Sequence, residues 1–197
     1  MAATRLAVTD HPRYGQLPNS SILSMRRTPS PALFAILCWT SVAMAQPPRG
    51  SLCRPPEKTY YSCHTTNHKI ISLCGALPGA LQYRFGRPDK IELQYPDRAA
   101  DGTKLMRYAY YFRYQTNYSE VVFDRGDYRY EVFDYDDQEP GGDGERAGVV
   151  AVGSDGVEHE VKCVQPVDGN LAEPGKYLKC DPDNALSLDG GPDSCHR

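Results

Sequence analysis

Large apolar and small or polar side chains alternate with a period of two through most of the chain after residue 58. Successive side chains of a strand leave opposite faces, whereas a helix repeats its apolar positions every three or four residues, so this alternation requires half-buried strands. The clearest cases are Leu81, Tyr83 and Phe85 against Gln82 and Arg84, then Ile91, Leu93 and Tyr95 against Lys90, Glu92 and Gln94, joined by the turn Gly86-Arg87-Pro88-Asp89. In the next strand Tyr108, Tyr110, Phe112 and Tyr114 face one way while Arg107, Ala109, Tyr111, Arg113 and Gln115 face the other, with Asn117-Tyr118-Ser119 as the return. Val121 and Phe123 continue the inward row, Asp124-Arg125-Gly126-Asp127 reverses the chain, and Tyr128, Tyr130 and Val132 come back. Segments near Gly148 to Val152 and Val157 to Cys163 flank Gly153-Ser154-Asp155-Gly156, a hairpin signal, and Thr59 to Thr65 and Lys69 to Leu73 stand at the front. The expected fold is all-β: an antiparallel meander of about nine short strands, closed into a small barrel or sandwich so that its edges are protected. Three polar or glycine-rich stretches interrupt it: Asp97 to Lys104, Asp136 to Arg146, and the tail from Gln165.

The start of the chain sets the compartment. Met25-Arg26-Arg27 is basic, Ala32 to Ala45 is apolar, and Ala43-Met44-Ala45 places small residues where a signal peptidase cuts. Residues 25–45 therefore read as a secretory signal, and residues 1–24 are expected either to lie upstream of a true start at Met25 or to be disordered. Cys38 is not a lipid attachment site, because Leu37 stands where a small residue is required. From Gln46 onward no stretch is apolar for the length of a membrane span. The expected organisation is a linker over 46–58, a β domain over 59–165 and a tail over 166–197, in a protein of the periplasm or the extracellular medium.

Past the signal, Cys53, Cys63, Cys74, Cys163, Cys180 and Cys195 make an even six, which an oxidising compartment turns into disulfides. Fifteen pairings are open. Cys63 and Cys74 leave one face of a hairpin turning at Asn67-His68, but they oppose each other only if the turn centre moves to His68-Lys69. Cys180 joined to Cys195 would tie down a tail otherwise too rich in Pro, Gly and Asp to order. No C-x-x-C pair supports zinc, and exported thiols make poor nucleophiles.

Several function classes are disfavoured by charge and motif. The chain from Gln46 carries 18 Lys and Arg against 24 Asp and Glu, interspersed, which does not suit a nucleic-acid partner. His64, His68, His159 and His196 lack metal or acid/base spacing, and no cofactor loop or nucleophile elbow occurs. Asp134, Asp136, Gln138 and Glu145 imitate a calcium loop, but Glu139 stands where glycine must make the bend. Arg125-Gly126-Asp127 matches a cell-adhesion tripeptide, but its glycine and aspartate are what a tight turn needs, and a turn is the expected role. The expectation is a noncatalytic protein without cofactor or metal. Its most unusual feature is a tyrosine ladder, 14 Tyr against 5 Phe in the whole chain. Tyr108, Tyr110, Tyr114, Tyr128 and Tyr130, with Arg113 and Arg129 beside them, either fill a core with wet ends or form a binding face for a protein or glycan of the envelope.

The motifs Tyr60-Tyr61-Ser62-Cys63, Asn67-His68-Lys69-Ile70-Ile71-Ser72-Leu73-Cys74, Leu81-Gln82-Tyr83-Arg84-Phe85-Gly86, Glu92-Leu93-Gln94-Tyr95-Pro96, Ala147-Gly148-Val149 and Val161-Lys162-Cys163 resemble those of a set of small exported proteobacterial proteins of unknown function. The likeness spans Tyr60 to Cys163 and implies no activity. Cys53 and the tail after Pro166 depart from it. In architecture the chain also resembles the periplasmic inhibitors of c-type lysozyme, with Tyr61-Ser62-Cys63 as their Y-x-C strand. Their serine-glycine-x-x-tyrosine segment has no clear counterpart here, so that resemblance implies a fold and leaves inhibition, like cell-wall hydrolysis, as an alternative function.

Overall fold

The computed structural model describes residues 50–189. The signal segment 25–45, residues 1–24, Cys38, Cys195 and His196 lie outside them. Ten strands form one curled sheet, a half-barrel: β1 Lys58–Thr65, β2 Ile70–Ala76, β3 Ala80–Arg87, β4 Lys90–Tyr95, β5 Arg107–Arg113, β6 Thr116–Arg125, β7 Tyr128–Asp137, β8 Gly144–Gly153, β9 Glu158–Gly169 and β10 Lys179–Cys180. The spatial order is β10-β5-β6-β7-β8-β9-β1-β2-β3-β4. Two antiparallel meanders, β1 to β4 and β5 to β9, are thus joined through β9 and β1. The long strand β9 serves both: Glu158 to Lys162 pairs with β8, and Cys163 to Gly169 pairs with β1.

β4 and β5 are not paired, and side chains bridge this seam. Phe123 on β6, fully buried, stacks on Tyr95 of β4 at 4.5 Å between ring centroids and on Tyr130 of β7 at 5.1 Å. Each such pair is worth about 0.5–1.5 kcal/mol beyond the area it buries. Ile71, Leu73, Leu81, Tyr83, Val121, Val132 and Leu171 complete the core. The connection from β4 to β5 is a 3-10 turn, Ala99–Asp101, followed by α1, Gly102–Leu105. It packs so closely on β3 that a Cβ on Gly102 would lie 1.9 Å from the Leu81 carbonyl oxygen.

The nine expected strands correspond to β1 through β9. Their return points differ in places. β5 turns at Tyr114-Gln115, since Arg113 pairs with Thr116, and Asn117-Tyr118-Ser119 lies inside β6. Tyr118 and Ser119 are held in the ladder by β7 on their other side, which a local turn signal does not report. β7 and β8 also run into the acidic stretch, to Asp137 and from Gly144, leaving 138–143 as the loop.

Cys53 is bonded to Cys74 and Cys63 to Cys163. The hairpin between β1 and β2 sets Cys63 opposite Ile71, so Cys63 and Cys74 are not partners there. Cys180 is disulfide-bonded too, and its expected partner Cys195 lies outside the described residues. These bonds fit an extracellular or otherwise oxidising compartment. Among the described residues no helix is long and apolar enough to cross a membrane.

The described part of the expected linker is packed, not free. Residues 50–57 lie over the outer face of β1 to β3, where the Leu52 N–H donates to Ser72 Oγ at 3.0 Å and Arg84 Nη1 donates to the Leu52 carbonyl at 2.9 Å. The tail likewise returns to the sheet. α2, Ala172–Gly175, sets Gly175 against the Tyr108 ring, β10 pairs in parallel with β5, and α3 spans Ala185–Asp189.

Candidate binding surface

The residues expected to form one binding face divide between places. Tyr108 and Tyr110 stack at 6.1 Å on the inner face of β5, and Tyr108 Oη lies 3.2 Å from Ser119 Oγ. Phe112 continues that row and is 66% exposed. Tyr130 belongs to the seam stack, and Tyr128, 43% exposed, ends the same strand. Tyr114 is 82% exposed and sits in the β5 turn, outside the ladder. Arg113 and Arg129 project from the opposite, outer face. There Arg113 pairs with Glu139 at 2.8 Å, and Arg129 pairs with Glu131 at 3.0 Å and Asp181 at 2.6 Å. The strand pleat separates the two arginines from the tyrosines beside them in sequence.

The outer face carries a second aromatic row that alternation alone did not single out. Tyr111 on β5 lies opposite Tyr118 on β6, Tyr118 opposite Tyr135 on β7, and Tyr135 opposite Arg146 on β8. The rings of Tyr111 and Tyr118 stack at 5.9 Å, those of Tyr118 and Tyr135 meet tilted at 4.7 Å, and the Arg146 guanidinium sits 6.0 Å over the Tyr135 ring. The signal was available in part: a turn at Gly126-Asp127 places Tyr118 against Tyr135, and Gly126 takes φ +59 at that turn.

Both central hydroxyls have fixed partners. Tyr118 Oη donates to Asp137 Oδ2 at 2.7 Å, and Tyr135 Oη donates to the buried carboxylate of Glu120. Glu120 also accepts from Asn184 Nδ2 at 2.6 Å, so the docked tail helps to hold the row. Burial pushes the Glu120 carboxyl up, against the opposing effect of those two hydrogen bonds. Asp137 is held below the usual carboxylate range by the Tyr118 hydroxyl and the Glu139 N–H. The Tyr118 phenol is correspondingly raised, first by its bond to Asp137 and then by burial.

Two hollows meet at Arg146. One, of about 150 Å³, has Tyr118, Tyr135 and Gly144 beside Asp137, Asp143 and Leu186. The other, of about 170 Å³, opens where β9 leaves β8 to join β1, over Phe133 and between Glu160 and Lys162. Arg146 is held by Asp143 at 2.9 Å and reaches Glu160 at 4.0 Å. Rings with fixed hydroxyls, flanked by acceptors and one cation, can pack on an apolar face of a ligand and hydrogen-bond to its edge.

The acidic residues that imitate a calcium loop lie elsewhere. Asp134 and Asp136 face inward on β7, with Glu145 opposite Asp136, and among the described residues no His, Cys, Asp or Glu group is placed to hold a metal ion. Burial, followed by the charges of Glu145 and Asp136, pushes the Asp134 carboxyl up to about 6. The folded protein therefore binds this proton more tightly than the unfolded chain, and stability is lost as pH rises from about 4 to about 6. Asp134→Asn is expected to stabilise the protein at pH 8 by about 1–2 kcal/mol, after allowance for solvent screening, and to give no gain at pH 4. Urea titrations at the two pH values measure this, and an equal effect at both would contradict it.

Comparison with protein-family models, with curated proteins and with solved structures finds no match for this chain.

Proposed function

We propose that the protein is an exported, noncatalytic binding domain of the bacterial envelope or periplasm, and that the row Tyr111, Tyr118, Tyr135 and Arg146 is its contact surface for a protein or glycan. The observation that carries this reading is the anchoring of the Tyr118 and Tyr135 hydroxyls to Asp137 and Glu120, which fixes the rings before any ligand arrives. A surface ordered in advance loses little side-chain entropy on binding. The Cys63–Cys163 bond at the β9–β1 junction and the Cys53–Cys74 bond on β2 support the same reading, because they hold the sheet to one shape.

The test is capture from bacterial envelope fractions and host secretions, with peptidoglycan fragments and c-type lysozyme as named candidates. The wild-type protein is expected to retain a ligand that the Tyr118→Ala variant releases. Hydrolysis of wall fragments or of ester and peptide reporters, abolished by replacing one carboxylate or histidine, would establish an enzyme instead. Loss of c-type lysozyme activity on adding the protein would select the inhibitor function.

A further inference from the structure

We infer that the inner, concave face of the sheet, at its end nearest the β5–β6 turn, is a docking surface for a basic segment of a partner protein, one that carries lysine or arginine beside apolar side chains. This surface lies on the opposite side of the sheet from the row Tyr111, Tyr118, Tyr135 and Arg146, and neither depends on the other.

The core stops short of this end. Val121, Val132 and Val149 are cross-strand neighbours that face inward and are buried. Four residues further along the same strands, that face carries Asn117, Asp136 and Glu145, with Phe112 completing the row on β5, and all four are exposed. Asp134 lies between the two rows. The stack that begins at Tyr108 and Tyr110 thus ends on a phenylalanine open to solvent, apolar area that folding leaves unused.

The carboxylates of this face are not neutralised. On the outer face of the neighbouring strands Asp124, Glu131 and Glu160 ion-pair with Arg107, Arg129 and Lys162. Asp134, Asp136 and Glu145 make no ion pair with any described residue, and only Gln138, a neutral donor, hydrogen-bonds to Asp136, at 2.5 Å. Asp136 and Glu145 stand directly opposite each other, an arrangement in which like charges destabilise a sheet. Burial and then their two charges push the Asp134 carboxyl up. Like charges held together at a cost to folding stability mark a place where function overrides stability, and here the missing element is a cation.

The two halves of the patch select the occupant. The acidic half on β7 and β8 takes ammonium or guanidinium groups, and the aromatic half on β5 takes apolar side chains or the methylene stems that carry those cations. A basic peptide segment supplies both. Its attraction to an acidic concave face also speeds encounter and turns away polyanions.

Fluorescence anisotropy of the exported protein with a labelled decapeptide of alternating lysine and leucine tests the inference. This peptide is expected to bind, more weakly as salt is raised, and its glutamate-leucine counterpart is expected not to bind. Asp136→Asn/Glu145→Gln should weaken binding by about tenfold or more, and Phe112→Ala by about threefold or more; all three positions are exposed, so the core is untouched. Asp127→Asn/Glu158→Gln removes the same charge at the opposite end of the strands and should bind within about twofold of wild type. No binding of the lysine peptide at millimolar concentration, or equal losses from the two charge variants, would overturn the inference. So would binding that survives Asp136→Asn/Glu145→Gln and is lost in Tyr118→Ala, which would move the peptide to the outer row. Spermidine matching the peptide in affinity would put a polyamine on this face, and a dimer in sedimentation that Phe112→Ala abolishes would put a second copy there; either result overturns the basic segment.

Discussion

Replacing Cys63 and Cys163 together with Ala is expected to remove about 4.7 kcal/mol of stability, against about 3.4 kcal/mol for the Cys53→Ala/Cys74→Ala pair. The difference comes from the chain each bond closes: 100 residues apart in the first case and 21 in the second, with the entropy removed from the unfolded state growing as the logarithm of loop length. Position adds to it. The Cys63–Cys163 bond lies where β9 passes from β8 to β1, the junction between the two meanders, while the Cys53–Cys74 bond holds only residues near the start of the described chain against β2. Most small domains are stable by only about 5–15 kcal/mol, so the first variant stands near the limit of folding. Denaturant titrations of the two variants give the comparison, and an equal or reversed order would show that the chain between Cys63 and Cys163 is already compact when unfolded.

The second large effect is expected at Arg84. Its guanidinium is buried on the outer face of β3 and binds the Glu57 carboxylate with two hydrogen bonds of 2.6 Å, one from each terminal nitrogen; Gln82 and the Leu52 carbonyl take the remaining donors. Glu57→Ala leaves that cation buried without its counter-ion and is expected to cost about 3 kcal/mol, since removing one member of a buried pair is worse than removing both. The double change Glu57→Ala/Arg84→Met should recover at least half of the loss, because the methionine fills the stem's volume without a charge. Burial works to raise the Glu57 carboxyl, yet the bonds and charge of Arg84 outweigh it and hold it below its ordinary value. The stabilisation from this pair is therefore fully present above the unfolded carboxylate range and is lost as pH falls through the lowered folded value. Acid titration of wild type and E57A should show the two stabilities converging below about pH 4. A constant gap would mean that the loss is one of packing.

The strands were legible because their cause is local. Leu81-Gln82-Tyr83-Arg84-Phe85 alternates as a strand must, and Gly126-Asp127 and Asp155-Gly156 carry turn chemistry, so β3 and β6 to β9 were legible in residue order, whereas Tyr118 read as part of a turn and its pairing with Tyr135 was not. The turn at Tyr114-Gln115 was not, because Gln115 takes φ 59 without being glycine and the tyrosines on both sides of it suit either face. The binding surface fell to the same limit. Tyr111 and Arg146 are brought together by three successive registers, and an error of one residue in any of them sends a side chain to the other face of the sheet.

The sequence by itself determined an all-β, disulfide-bonded chain with strands near their observed places, since alternation, turns and the even cysteine count act over a few residues. Only the tertiary structure decided which polar positions are buried. Gln82, Arg84 and Glu120 read as solvent-facing by phase, and they are buried because residues 50–57 and 181–187 fold back over the outer face, a consequence of chain ends meeting distant strands. It also decided that β4 and β5 part, that Tyr95, Phe123 and Tyr130 bridge the seam by stacking, and that Cys63 finds Cys163 across a hundred residues. Contacts at that separation are selected by how the whole core packs, and no local pattern in the chain records them.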